Sequence, residues 1–446
     1  MASLSEHPTV QAFRAKHATN DEGASSVPLD ADWLRTLCLE AGADDVGFVE
    51  IDCAEISDQR AEILTLFPCT KTLISLVGRM NRENIRNPAR SIANAEFHHT
   101  NHALEDATRR IVANLEQKGI RAIYSTVGFP MEMDRPGKIW VISHKPVAVA
   151  AGLGRMGIHR NVIHPRFGNF ILLETILLEA EVSSYSRSIS YNPCLECKLC
   201  VAACPVGAIG ADGFFNFSAC NTHNYREFNG GFTNWVEQIA ESKDAEDYQR
   251  RITPSESASM WQSLSFGANY KAAYCMAVCP AGEDVIGPFL TNRKGYLSEV
   301  VRPLQNKVET IYVTPGSDAE AHVARRFPHK KIKRVRNSLS APVSIQAFLF
   351  GLPLVFQREQ AANLNATYHF TFTGKDKRKA TIVLKEKTLQ IQEGHMGIPD
   401  IVITVDSQTW LELLANPKRT VWAVIRRKLR IRGPLSLMQA FRRCFS

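Results

Sequence analysis

Apolar and polar residues alternate in DDVGFVEID from Asp44, and KTLISLVGR from Lys71 is a short apolar run; both patterns predict strands. The segment Asn94 to Gly119 instead repeats apolar residues at Leu104, Ile111, Val112 and Leu115 and ends on glycine, as an amphipathic helix does. RAIYSTVG from Arg121 returns to strand character, AVAAG before Leu153 is helix-like, and FILLETILLE from Phe170 is a further apolar strand. This alternation predicts an α/β unit, a sheet flanked by helices. After about Pro288 the pattern changes. Asn306 to Leu339 is polar and basic enough to predict a connector, and SIQAFLFGLPLVFQREQAANLNA from Ser344 predicts one or two helices. TYHFTFTG, RKATIVLKEKTLQIQEG and PDIVITVDS then predict strands, with a turn at Gly374, Lys375 and Asp376, and DSQTWLELLANP predicts a helix opened by Asp406 or Ser407 and stopped at Pro417. The C-terminal third is therefore an α+β domain.

A chain of 446 residues exceeds what one compact core usually holds, so two or three domains are expected. The first 29 residues show neither an apolar export core nor a paired-arginine signal and read as a flexible N-terminal segment, and the protein is expected to be cytoplasmic. The most apolar run, APVSIQAFLFGLPLVF from Ala341, carries two prolines and falls short of a membrane span. The formal charge of +8 is concentrated at the C-terminus: from Lys418 onward nine basic residues meet no acid. No aromatic stacking pattern accompanies them, so a solvated basic face is favoured over a nucleic-acid surface.

The chemistry is announced by the cysteines. CLECKLCVAACP places Cys194, Cys197, Cys200 and Cys204 in the spacing C-x2-C-x2-C-x3-C-P, the bacterial ferredoxin signature, in which three thiolates hold one [4Fe–4S] cube and the fourth reaches a different cluster. Zinc also uses close cysteine pairs, but the third and fourth thiols and the proline favour iron. YCMAVCP supplies Cys275 and Cys279, so crossed ligation assigns Cys194, Cys197, Cys200 and Cys279 to one cluster and Cys204, Cys220 and Cys275 to a second. The second set is one ligand short, because Ala272 stands three residues before Cys275. A three-iron cluster, a cube with a non-cysteine or open fourth position, and no second centre at all remain open; His223 and Tyr274 are nearby in sequence. Cys38, Cys53, Cys69 and Cys444 are isolated and read as small buried hydrophobes.

Gly152, Gly154 and Gly157 form G-x-G-x-x-G, a weak dinucleotide signal that lacks its context here: no strand leads in, and no helix follows. Glycines in such a loop instead permit close approach of a large flat or phosphate-bearing ligand. The series KPVAVAAGLGRMGIH, then N-x-I-x-P-x-x-G, an apolar strand and CxxCxxCxxxCP resembles the cobalamin-dependent family of epoxyqueuosine reductases and reductive dehalogenases over residues 30–290. The resemblance implies a nitroreductase-like α/β corrinoid-binding domain over 30–185 and a ferredoxin-like di-cluster module over 186–295 that reduces the cobalt. It implies a corrinoid-facing loop of Gly152, Leu153, Gly154, Gly157, His159, Ile163, Pro165 and Gly168. The family's proton-donating aspartate has no counterpart in ISHKP, where Ser143, His144 and Lys145 stand instead. His144, Lys145, Tyr124 and Arg135 are candidate donors by position.

Beyond a linker over 296–339, the order YHFTFTG, KTLQIQEG, PDIVITVDSQTWLELL, RRKLRIRGPLSLMQAF resembles the sterol carrier protein type 2 domain over 340–446. That resemblance implies a hydrophobic tunnel, with Phe348, Phe350, Leu354, Phe356, Trp410, Leu414 and Trp422 as candidate lining. The combined expectation is a cytoplasmic corrinoid and iron–sulfur reductase acting on a hydrophobic small molecule, by reductive dehalogenation or by a related reduction of another activated group. Its electrons would come from an external ferredoxin or flavodoxin, with no membrane span and no nucleic-acid partner. The alternatives are a non-catalytic corrinoid- or lipid-binding electron carrier and a tRNA-modifying reductase.

Overall fold

The computed structural model describes residues 4–17, 27–132, 140–337, 339, 342–415 and 420–445. The alternating stretches fold as β1 (Asp45–Glu50), β2 (Thr72–Arg79), β3 (Ala122–Tyr124), the short pair β4 (Arg155–Met156) and β5 (Val162–Ile163), and β6 (Ile171–Leu178). Four of them form one sheet in the order β1-β2-β6-β3, every neighbour antiparallel. β2 and β6 are central and covered on both faces, which is why they read as continuous apolar runs. The period of two then sorts side chains between two cores. Val46, Phe48, Ile74, Leu76 and Ile176 meet Leu104, Ala107 and Ile111 of the long helix Arg90–Gln117. Val49, Leu73, Val77, Leu173 and Leu177 meet Val147, Ala148 and Ala150 of the helix His144–Ala150 on the other side. The N-terminal segment expected to be flexible contains a helix, Pro8–His17.

The loop between β5 and β6 joins this sheet to the cysteine-bearing segment by backbone contact. The amides of Glu283 and Asp284 donate to the carbonyls of Pro165 and Arg166 at 2.9 and 3.1 Å, and Arg166 Nε meets Asp284 Oδ2 at 3.1 Å. Between those bonds, Gly168 (φ +64°) lies against the Ala281 carbonyl, and Gly282 (φ +109°) lies against the Gly168 amide. A side chain on either glycine would occupy space already filled by backbone.

The segment 296–339 corrects the expectation of a linker. It contains β7 (Thr310–Val313), the helix Asp318–Arg326 and β8 (Lys331–Arg334), with β7 and β8 parallel. Ile311, Val313, Ala319, Val323 and Phe327 pack with Val206, Ala208 and Ile209 beside Cys204, so this small unit buttresses the cysteine segment. Its basic character belongs to β8, KIKR, whose Lys333 nevertheless pairs with Glu256 at 2.7 Å.

The C-terminal strands are β9 (Asn365–Thr373), β10 (Arg378–Lys385), β11 (Thr388–Glu393), β12 (Ile401–Asp406) and β13 (Leu429–Arg432), ordered β11-β10-β9-β12-β13, with only β9 and β12 parallel. Asp406 opens the following helix, Ser407–Ala415, by accepting from the Thr409 amide at 3.0 Å. Phe348, Phe356 and Trp410 join Tyr368, Phe370 and Phe441 in the core, whereas Phe350 and Trp422 are 57% and 62% exposed and line no interior. Phe214, from the cysteine-bearing segment, packs against this core, and Arg358 reaches back to Asp212. Among the described residues no helix is long and apolar enough to cross a membrane.

Two measurements check this architecture. Gly168→Ala is expected to destabilise the chain by more than the roughly 1–2 kcal/mol that a positive φ costs a side-chain-bearing residue, because the Ala281 carbonyl must also move. Gly394→Ala, at φ +81° with open space around it, is expected to show the φ cost alone in denaturant unfolding. The second concerns Glu174 on β6, fully buried, with Oε2 accepting from Thr108 at 2.9 Å; burial pushes its carboxyl up to about 8. Its folded value lies above the ordinary 4.5, so the neutral carboxyl stabilises fully below pH 4.5, and that contribution is lost as pH rises through about 8. Glu174→Gln is expected to flatten the fall in melting temperature across that window.

Candidate iron–sulfur and cofactor site

The first cysteine motif cannot be a plain helix, because its thiols must point inward around one centre. Glu196 and Lys198 take left-handed backbone (φ +51° and +62°), curling the chain before the short helix Leu199–Ala203. As a result Cys194, Cys197 and Cys200 line one cavity together with Cys279, and His159, Lys198, Pro280 and Ala281 complete its wall. This is the set that crossed ligation expects for one cube. Burial first, and then the neighbouring Cys197 and Cys194, push the Cys279 thiol up to about 12; burial and neighbouring thiols raise Cys200 as well. Thiolates gathered in a desolvated cavity need cationic iron to coexist, so the donor set fits a cluster. Among the described residues no three His, Cys, Asp or Glu side chains converge as a single metal ion would require. A cube spreads its thiolates over different corner irons.

Cys204, Cys220 and Cys275 gather in the adjoining apolar pocket of Val206, Ala208, Ala219 and Ile311. The Ala208 amide points at Cys204 Sγ at 3.3 Å. Burial raises the Cys220 and Cys275 thiols, Cys275 to about 12, with Cys204 the next cause in each case. These residues therefore fit a second centre as three thiolates. Of the sequence candidates for the fourth place, Tyr274 is committed elsewhere, whereas His223 keeps a buried Nε2 without a hydrogen-bond partner among the described residues. Tyr274 donates its hydroxyl to Glu309 Oε2 at 2.7 Å, and His223 Nδ1 accepts from the Tyr312 amide at 3.4 Å.

The glycine loop departs from its expected role. Leu153, His159 and Ile163 are buried, and Gly154 and Gly157 have their open side filled by Ile163 and Val162 or by the His159 ring. Gly168 is spent on the backbone joint, and only Gly152 and Pro165 of the eight keep partial exposure. Close approach is what these glycines provide, but the approaching partner is the protein's own chain.

A group of partly accessible side chains lies next to the loop instead. Lys145, Cys220, Tyr225, Tyr270 and Cys275 all keep part of their surface accessible. Burial nonetheless pulls the Lys145 ammonium down and pushes the Tyr270 hydroxyl up to about 12 and that of Tyr225 further. Side chains that are both wet and surrounded by protein line a recess. Tyr225, Phe228, Tyr270 and Phe129 form an aromatic wall, with ring centroids 4.9 to 5.7 Å apart. Lys145 Nζ donates to Arg160 O at 2.7 Å and Asn161 Oδ1 at 3.1 Å, with Cys275 and Cys220 acting on its charge. Aromatic faces and a fixed ammonium are groups that a flat macrocycle with polar edges would use, and the predicted loop side chains are not among them.

Of the three candidate donors among the described residues, Lys145 alone lies near Cys220 and Cys275 with hydrogen-bonding capacity to spare. Both ring nitrogens of His144 are engaged, Nδ1 by Thr175 Oγ1 at 3.0 Å and Nε2 by the Thr126 carbonyl at 3.1 Å, and burial lowers its pKa to about 4, leaving it neutral. It ties the Thr126 loop to β6. Tyr124 lies 42% exposed at the end of the edge strand β3, and Arg135 lies outside the described residues. Tyr225 and Tyr270 were missed from sequence; the signal was their placement, five residues after Cys220 and five before Cys275.

Residues 356–446 match the model of the SCP-2 sterol transfer family. Over 108 residues the chain is 33% identical to an epoxyqueuosine reductase of Prochlorococcus marinus (strain NATL2A), covering 22% of this chain and 33% of that protein. Over 89 residues it is 29% identical to the epoxyqueuosine reductase of Vibrio cholerae serotype O1, covering 20% and 24%. The chain thus spans a quarter to a third of these curated relatives. Among solved structures, epoxyqueuosine reductase from Streptococcus thermophilus is 15% identical with a TM-score of 0.34, covering 60% of this chain and 74% of that one. A reductive dehalogenase, described as B12-dependent, is 14% identical with a TM-score of 0.39, covering 64% and 37%. The name of the curated relatives leaves the expectation against a nucleic-acid partner unsupported. The chain joins a segment similar to epoxyqueuosine reductases to a C-terminal segment of the sterol carrier type.

Proposed function

We propose that this protein is a corrinoid-dependent iron–sulfur reductase acting on a hydrophobic small molecule, with reductive dehalogenation as its reaction. The observation that carries the reading is a gathering of groups: Cys220 and Cys275 lie near enough to both Lys145 and Tyr225 for their charges to act on them, and Tyr225 packs edge-on against Tyr270. When bound there, cobalamin supplies a metal that cycles to a low-valent state able to reduce an activated carbon–halogen bond. Cys194, Cys197, Cys200 and Cys279 would hold the first cluster and Cys204, Cys220 and Cys275 the second, forming a path from an external ferredoxin or flavodoxin to the recess. Replacing halogen by hydrogen consumes two electrons and one proton and releases halide.

Lys145 is the proposed source of that proton. Two of its N–H groups are held by the loop at Arg160 and Asn161, which fixes the ammonium in place and leaves the third for substrate. Burial lowers its pKa, easing proton transfer. His144, neutral and doubly hydrogen-bonded, positions the first turn of the helix that carries Lys145. The C-terminal domain, docked through Phe214 and Arg358, would bind or deliver the apolar substrate. A second reading, tRNA modification, is favoured by the name of the two curated relatives and predicts RNA binding that weakens steeply with salt.

The test is turnover of aryl halides by anaerobically reconstituted protein supplied with cobalamin and a low-potential reductant, read as halide release. Cobalamin binding without turnover on any halide would favour the carrier reading. Lys145→Gln is expected to lower turnover by roughly 10²-fold or more with iron content unchanged. The donor works protonated, so the wild-type rate should fall as pH rises through a value below that of ordinary lysine, and the variant should lose this limb. Cys279→Ser is expected to remove the first cluster, about four irons per chain.

A further inference from the structure

The electrons of the reductase proposed above come from outside the chain, so on that reading one face of the protein must receive a donor. The set of three thiols has Lys145 and Tyr225 beside it, where the proposed cofactor binds. The set of four reaches the surface instead. Its cavity is lined by Leu195, which stands between the ligands Cys194 and Cys197 and is 44% exposed, and by the exposed Glu196. Two further apolar side chains are exposed on adjoining segments. Tyr191 lies three residues before Cys194, and Met156 lies on β4, whose partner strand β5 packs Ile163 against Cys194 and Cys279. Apolar groups gathered at the surface and rimmed by charge mark a place made for a partner.

The rim here is cationic. Arg155 is exposed on β4 directly before Met156, and Lys198 follows Cys197 in the wall of the cavity. Arg293 is exposed, held over the Phe289 ring at 5.2 Å, and near enough to Cys197 for its charge to act on that thiol; Lys294 follows it, also exposed. Two of the carboxylates on these segments are already paired, Glu196 with Lys198 at 3.8 Å and Asp284 with Arg166 at 3.1 Å. Among the described residues no carboxylate pairs with Arg155, Arg293 or Lys294, and Glu283 is the one acid of the turn after Cys279 left to oppose them. Before Lys418 the chain as a whole is nearly neutral, so unpaired cations around one cavity are a local feature.

We propose that this face is the docking surface for an acidic electron-transfer protein, which seats its redox group over Leu195 and reduces the cluster of Cys194, Cys197, Cys200 and Cys279. Each encounter passes one electron, oxidising the donor and reducing the cluster, and two encounters supply the two electrons that replacement of halogen by hydrogen consumes. The contact is small and transient, with an apolar centre and a charged rim. Its charges act on the rate of association more than on the lifetime of the complex.

The anaerobically reconstituted full chain is mixed in a stopped-flow instrument with reduced plant-type ferredoxin, an acidic one-electron donor, and bleaching of the cluster absorbance is followed at several salt concentrations. Photoreduced deazaflavin, a small reductant that needs no docking surface, is the reference. The second-order rate with ferredoxin is expected to fall roughly tenfold or more as salt rises to about 0.5 M, while the deazaflavin rate stays level. Arg155→Glu and Arg293→Glu are each expected to lower the ferredoxin rate by roughly tenfold at low salt, with iron content and the deazaflavin rate unchanged. Arg432→Glu, the same change of charge on the exposed side of β13, is expected to leave both rates as they are. A ferredoxin rate that ignores salt and both cavity-side variants overturns the docking surface, as does one that Arg432→Glu lowers equally. Halide release driven by deazaflavin would in that case leave the reductase standing. Salt-dependent reduction by ferredoxin with no halide released by either donor would instead keep the docking surface and end the reductase.

Discussion

The contact on which this molecule depends is that of two glycines, Gly168 and Gly282, whose backbones touch where the β5–β6 loop meets the turn after Cys279. Backbone-to-backbone packing at this distance is available only without a Cβ, and both residues also adopt a left-handed φ. Flanking hydrogen bonds from Glu283 and Asp284 lock the register. The consequence is geometrical. Cys279, Pro280 and Ala281 are held against the loop that carries His159 and Ile163, so the first cluster cavity is walled partly by the sheet domain. Relative motion of the sheet and the cysteine segment would open that cavity to water.

Electrostatics divides the labour on either side of this joint. Seven thiols fall into a closed set of four and an adjoining set of three, and each set is costly without a cation. Lys145 lies near the set of three and, among the described residues, is anchored by loop oxygens rather than by a carboxylate. A carboxylate partner would hold its proton tightly; carbonyl and amide oxygens orient the group while leaving its acidity to burial. His144, which occupies the place where a donor was expected, serves as a neutral bracket, and the proposed donor is the next residue along the chain, Lys145.

Much of this was legible in the chain. The two periodicities separated strands from helices because the sheet is covered on both faces and the long helix presents a single apolar stripe to it. Cysteine spacing grouped the seven thiols as the fold gathers them, four round one cavity and three in the adjoining pocket, because a cube would constrain thiols more tightly than any helix or strand pattern. What escaped notice has a common cause, namely pairing between residues distant in sequence. β7 and β8 are four residues each, β8 is largely exposed, and their parallel pairing depends on a helix between them, so composition alone read the segment as a connector. The loop glycines signalled close approach, but a ligand and a neighbouring carbonyl impose the same demand on a missing Cβ. Tyr225 and Tyr270 meet across 45 residues, with ring centroids 5.7 Å apart, and no local pattern announces such a wall.

Anomalous diffraction at the iron and cobalt edges, on crystals of anaerobically reconstituted protein grown with cobalamin, addresses the central claim most directly. The account predicts iron at the cavity of Cys194, Cys197, Cys200 and Cys279, a second iron group at Cys204, Cys220 and Cys275, and cobalt in the recess between Lys145 and the Tyr225–Tyr270 wall. Iron at both cysteine sets with cobalt absent or bound elsewhere would contradict it.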